Sequence, residues 1–152
     1  MIGAKYWLGI DTPAVYEDSK KKYVLCEPHP FGFREKRRGF VKKMRRGDRI
    51  VNYITELHRF FAVWEITREH FFDASQILAG TAFPECVEVK PIELRAPEKG
   101  ISVHAVLDTL EIFKTLQDAK RQWGVRVKAS AQEWPSSDGE TILNLLRESS
   151  NL

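Results

Sequence analysis

Apolar and polar positions alternate most clearly between residues 44 and 67. Residues 49–55 and 60–67 are rich in Ile, Val, Tyr, Phe and Trp, and a polar stretch at 56–59 separates them, so the pattern predicts a β-hairpin. In its second strand Phe60, Ala62, Trp64 and Ile66 point one way and Phe61, Val63 and Glu65 the other. Residues 6–10 predict an earlier strand. It is closed by Asp11, with Thr12 as N-cap and Pro13 opening a short helix near 13–19. A second short strand is expected at 23–26. Residues 27–33 are expected to be loop, because two prolines and a glycine oppose regular structure.

Residues 35–46 read as a helix with Phe40, Val41 and Met44 on one face and Arg38, Lys42, Arg45 and Arg46 on the other. Gly47-Asp48 is a tight-turn pair. Further on, 73–78 predicts a helical turn, 85–94 a strand, 103–110 and 115–123 helices, and 125–127 a last strand. Ser137 and Glu140 have capping-box spacing ahead of 141–147, where Ile142, Leu145 and Leu146 form an apolar stripe. The last few residues are expected to fray.

Length changes this picture little: 152 residues suit one domain over 1–152 with a core that needs no staples. Charge changes it more. The net +3 divides into +7 over residues 1–49 and −4 over the remainder, and nine Lys or Arg fall between Arg34 and Arg49. A one-sided positive field attracts a polyanion. No apolar run is long enough to span a membrane, and the first residues enter a strand pattern rather than a cleavable leader, so a cytoplasmic protein without a membrane partner is expected. The two cysteines, Cys26 and Cys86, are expected as buried thiols.

The chemistry this composition offers is binding more than reaction. Arg34, Lys36, Arg38, Lys42, Lys43, Arg45 and Arg46 are candidates to hold a nucleic-acid backbone, RNA or DNA. A base pocket needs a flat π surface and a few hydrogen-bonding groups. Trp7, Tyr53, Trp64, Phe31 and Phe33 supply the rings, with Cys26, Glu27 and His29 in the intervening loop. Glu27 and His29 alone do not make a catalytic pair, and Cys26-x-x-His29 lacks the second pair a metal needs. No catalytic residue, metal or cofactor is assigned.

The order of motifs carries a resemblance. Tyr-Trp in the first strand is followed by a basic segment and then Met-x-x-Gly-Asp-x-Ile-x-x-Tyr at 44–53. Ala-Val-Trp-Glu-Ile-Thr (62–67), Val-Glu-Val-Lys-Pro-Ile-Glu-Leu (87–94), the Leu107/Leu110 helix and Ser-Ser-Asp-x-Glu (136–140) complete it. Together they resemble the EVE domain of the PUA-like superfamily over roughly residues 5–147. The resemblance implies an α+β fold, a small, strongly curved β-barrel with peripheral helices related to YTH and ASCH domains. It also implies nucleic-acid binding, with a modified or extruded base read beside the first strands. Where the family commonly has Trp followed by Arg-Asn, this chain has Cys26-Glu27-Pro28-His29. The alternatives are a nucleic-acid-processing hydrolase of ASCH-like type and a small-molecule-binding adaptor. A monomer or weak homodimer is expected.

Overall fold

Residues 3–149 are described by the computed structural model. The β-branched and aromatic runs build its frame. β1 (Tyr6–Asp11) lies parallel to β3 (Arg49–Ile54), and β3 pairs antiparallel with the long β4 (Arg59–Phe72). β4 pairs in turn with β7 (Glu85–Leu94), and β7 with β2 (His29–Phe33). The order across the sheet is β2-β7-β4-β3-β1, extended by β9 (Glu133–Trp134) beyond β1 and with β8 (Ile101–Ser102) added to β4. The connection between β4 and β7 holds a small hairpin of β5 (Ile77–Leu78) and β6 (Thr81–Ala82).

Irregular registers bend this sheet strongly into a half-barrel. Tyr53 faces Phe60 while Asn52 faces Ala62, which leaves Phe61 as the extra residue of a bulge. The bulge corrects the expected alternation of β4. Phe60 packs with Tyr53 and Val63 in one core, whereas Phe61, Ala62, Trp64 and Ile66 pack with Trp7, Ile50 and Val89 in another. Three further register shifts run along β4 and β7.

Helices close the two cores. α1 (Pro13–Lys22) starts as expected, with Thr12 Oγ1 accepting from Val15 N at 3.2 Å and Pro13 at N1, and it continues to Lys22. α5 (Ser136–Ser149) buries Ile142, Leu143 and Leu146 in the first core, so its apolar stripe turns inward. Its capping box is absent: Glu140 Oε1 instead accepts from the Tyr6 hydroxyl at 2.6 Å. The α5 residue Gly139 lies against the Tyr6 ring, where an added Cβ would stand 2.1 Å from Cδ1. Because Tyr6 is buried and held at its hydroxyl, Gly139→Ala is expected to destabilise the fold by about 2–3 kcal/mol despite alanine's better helix propensity. A lowered urea midpoint at unchanged slope is the check.

Elsewhere the structure departs from the pattern. The strand expected at 23–26 is a turn, and the expected loop contains β2, an edge strand hydrogen-bonded only to β7, where Pro30 is tolerated. The helix expected over 35–46 shrinks to a 3₁₀ turn at Glu35–Arg37 and α2 (Arg38–Val41). Gly39 and like charges four apart, Arg38 with Lys42 and Lys42 with Arg46, oppose a longer one. Residues 73–78 form turns and β5 rather than a helical turn. The helices expected later become a 3₁₀ turn at Val103–Val106, α3 (Glu111–Lys114) and α4 (Ala119–Gln122). Residues 125–127 lie in a 3₁₀ segment instead of a strand. Cys86 is buried, but Cys26 is exposed, so only one thiol is interior. The expected fraying of the last residues concerns positions mostly outside the described ones.

Candidate functional site

Curvature brings the edge strand β2 round to face β1. At the closest approach β1 and β2 meet through Gly9, where a Cβ would lie 2.7 Å from Phe31 Cζ, so a side chain there would displace the ring. Between them opens a slot with about 450 Å³ of empty space, counting the part open to solvent, and little of it is wider than a water molecule. Its walls are Phe31 and His29 from β2, Phe61 and Trp64 from β4, and Tyr16 from α1. The rings support one another: His29 meets Trp64 edge-on at 5.1 Å and stacks on Tyr23 at 5.6 Å, while Phe31 lies 5.2 Å from Phe33. Such a narrow, ring-lined space favours a flat guest.

Polar groups are few and specifically placed. Asn52, buried in the middle of β3, accepts from Trp64 Nε1 at 3.0 Å and donates to the Gly9 carbonyl at 3.3 Å, which fixes the Trp64 ring. His29 Nδ1 lies 2.8 Å from the Glu27 carbonyl, so this nitrogen carries the proton. Burial lowers the pKa of His29, which leaves a neutral ring with Nε2 as an acceptor. Asp11, at the end of β1, also lines the slot, and burial pushes its carboxyl up from 3.8 to about 7. Gln76, from the segment joining β4 to β7, is 1% exposed; the Tyr23 hydroxyl and Lys22 Nζ both donate to its Oε1. Its Nε2 is buried with no partner.

The basic residues divide between two basins. Arg34, Glu35, Lys36 and Arg38 border a depression with Ala82 and Pro84; Arg34 directly follows β2, and the 73–84 segment lines both this depression and the slot. Lys43, Arg45 and Arg46 border another with Lys5, at the starts of β1 and β3. Several of these cations already have partners. Arg38 makes a two-point contact with the buried Glu85 carboxylate at 3.0 and 3.2 Å, and His70 Nε2 lies 2.8 Å from the same Oε1. Arg45 pairs with Glu69 at 3.7 Å. Arg34, Lys36, Lys42 and Lys43 are exposed.

Of the ring and loop residues picked from sequence, His29, Phe31 and Trp64 are brought together in the slot, and Phe33 buttresses Phe31 from below. Trp7 and Tyr53 are corrections. Both are 1–2% exposed core residues, Trp7 with its indole N–H on Asp48 and Tyr53 in the opposite core beside His58. Cys26 and Glu27 are exposed and do not line the slot, and only Glu27's main chain touches His29. Sequence reasoning missed Asp11, Asn52 and Gln76. A signal existed for Asn52: it is the one polar residue inside the apolar run Ile-Val-Asn-Tyr-Ile. Among the described residues no group of three or more His, Cys, Asp or Glu is placed to hold a metal, and no helix is long and apolar enough to cross a membrane.

The model of one family, the EVE domain, matches residues 5–145. No curated protein matches. Solved structures share the fold at low identity. A protein of Leishmania major is 16% identical, with a TM-score of 0.65 and 97% of each chain covered. The YTH domain of the Zygosaccharomyces rouxii MRB1 protein, in complex with N6-methyladenosine RNA, is 14% identical with a TM-score of 0.65; 95% of this chain and 87% of that one are covered. Human THYN1, in complex with 5-methylcytosine-containing DNA, is 15% identical with a TM-score of 0.61, covering 93% of this chain and 97% of that one.

Proposed function

Because this chain belongs to the EVE domain family, we propose that it is a nucleic-acid-binding module that holds one extruded, modified base in the slot between β1 and β2. The observation that carries this reading is the ring-lined slot of Phe31, His29 and Trp64 opening beside the exposed Arg34 and Lys36. A base leaving its stack exchanges stacked neighbours for these rings, and the nearby cations neutralise the phosphates on either side of it. The YTH domain in complex with N6-methyladenosine RNA and THYN1 in complex with 5-methylcytosine-containing DNA support a modified base as the guest. Arg34, Lys36, Lys42, Lys43 and Arg46 carry most of the backbone contact. Arg38 and Arg45 contribute less, since each is already paired to a carboxylate.

Fluorescence anisotropy with labelled RNA and DNA, with and without a single modified base, tests the reading at two salt concentrations. Each phosphate neutralised is expected to add roughly −0.7 to −0.9 to the log–log salt slope. Phe31→Ala is expected to remove about 1–3 kcal/mol of base-dependent affinity while the salt slope stays unchanged. Absence of binding at low salt to every strand overturns the proposal.

A further inference from the structure

The slot contains a donor without an acceptor. Lys22 Nζ can only donate, so the Gln76 atom 3.2 Å from it must be the oxygen, and the amide NH₂ faces the other way. That NH₂ group is buried and unpartnered on the slot wall. The backbone holds it there: Gln76 N donates to the Asp73 carbonyl at 3.2 Å, and Phe83 N donates to the Gln76 carbonyl at 2.8 Å. Among the described residues three other buried side-chain nitrogens, on Arg49, Arg95 and Trp134, also lack partners, but Gln76 alone of the four lines the slot, where a ligand completes it. The same slot contains a carboxyl without a cation, since among the described residues Asp11 forms no ion pair and has Asn52 as its side-chain neighbour.

Resting on the base-reading proposal above, we propose that Gln76 and Asp11 select the guest. The Gln76 amide donates to an acceptor on the base. The Asp11 carboxyl makes a two-point contact with a Watson–Crick edge that carries a ring-nitrogen acceptor beside an exocyclic amine. Cytosine and adenine have that edge, whereas uracil, thymine and guanine present a ring N–H instead. The match requires one carboxyl oxygen to carry a proton and donate to the ring nitrogen, while the other accepts from the amine. The surroundings favour this form. The titratable groups lining the slot with Asp11 are Tyr16 from α1 and His29 from β2, with burial raising the first and lowering the second, so both are neutral. β3 contributes Asn52, β4 contributes Phe61 and Trp64, and β5 contributes Leu78, none of them charged. The Asp11 carboxyl, raised to about 7, therefore keeps its proton on the acid side of neutrality. Affinity for such a base is then full below that value and falls as pH rises through it, because the carboxylate repels the ring nitrogen.

Anisotropy on short duplexes carrying cytosine, adenine, thymine or guanine opposite an abasic site, where the base is free to leave the stack, tests the assignment. At about pH 6 cytosine or adenine is expected to bind about tenfold more tightly than thymine, and the gap is expected to narrow by about pH 8.5. Asp11→Asn, whose amide offers a donor and an acceptor with no proton to lose, is expected to keep the preference at both pH values. Gln76→Glu keeps the oxygen for Lys22 but turns the donor into an acceptor, and is expected to lose about tenfold in base-dependent affinity. Circular dichroism melting confirms that both variants are folded. A preference for thymine or guanine, or a cytosine or adenine preference that does not change with pH in the parent protein, overturns the selection by Asp11 and leaves the base-reading proposal standing. If no base binds better than a duplex abasic on both strands, both fall.

Discussion

Asp11→Asn is expected to stabilise the protein at pH 8 by about 2–4 kcal/mol and to leave its stability nearly unchanged at pH 3. Burial raises this carboxyl from 3.8 to about 7, so the folded state resists the charge that the unfolded chain accepts freely. Below about pH 4 the group is protonated in both states and contributes no difference. Between about 4 and 7 the unfolded chain is ionised and the folded one is not, so the parent loses about 1.4 kcal/mol of stability per pH unit. Above 7 the loss is complete and flat. Partial solvent access at the slot mouth places the result below the full value. Urea titrations of both proteins across this range are the check, and parallel stability curves would contradict the burial argument. A group that weakens the fold at neutral pH and lines the slot is consistent with the binding role proposed for Asp11.

The second large effect lies at the other end of β1. Asp48 is 7% exposed and accepts three hydrogen bonds: from the Lys5 backbone N–H at 3.1 Å, the Trp7 indole at 3.1 Å and the Arg45 backbone N–H at 2.9 Å. Asp48→Ala leaves all three donors without an acceptor, and each buried donor left unpaired costs about 1–3 kcal/mol. Water reaches the two backbone groups more easily than the indole, so a total of about 3–4 kcal/mol is expected in urea unfolding. Asp48→Asn is expected to recover about half of it, since one oxygen survives. If alanine costs under about 1 kcal/mol, the turn does not depend on this carboxylate.

Both residues illustrate what was legible in the chain. Gly47-Asp48 reads as a tight turn because its signal is local. The role of Asp48 as an anchor for Trp7 was not legible, because the partners are separated by 41 positions. The strands expected at 49–55, 60–67 and 85–94 were legible through their β-branched and aromatic alternation, but neither the bulge at Phe61 nor the continuation of β4 through the polar residues 68–70 to Phe72 is announced by any local pattern. β2 was not legible: Pro30 and Gly32 look like loop residues, yet an edge strand tolerates the proline, and Gly32 leaves room where a Cβ would stand 2.4 Å from the Phe83 carbonyl. The aromatic half of the slot could be picked out because exposed-looking rings beside a basic run are unusual. The polar half could not. Asp11 resembled a strand end and Gln76 a helical turn, and only the curled sheet brings them to one wall.

The contrast between the two cysteines has a practical consequence. Cys86 is enclosed, and burial raises its thiol to about 12, so at neutral pH it offers almost no thiolate. Cys26 stands in the open, three positions ahead of His29. A maleimide dye added to the unmodified protein will therefore label one position, next in sequence to Leu25, which borders the ring-lined chamber. The molecule arrives with its own attachment point for a fluorescent reporter of guest entry, and no engineering is needed to install it.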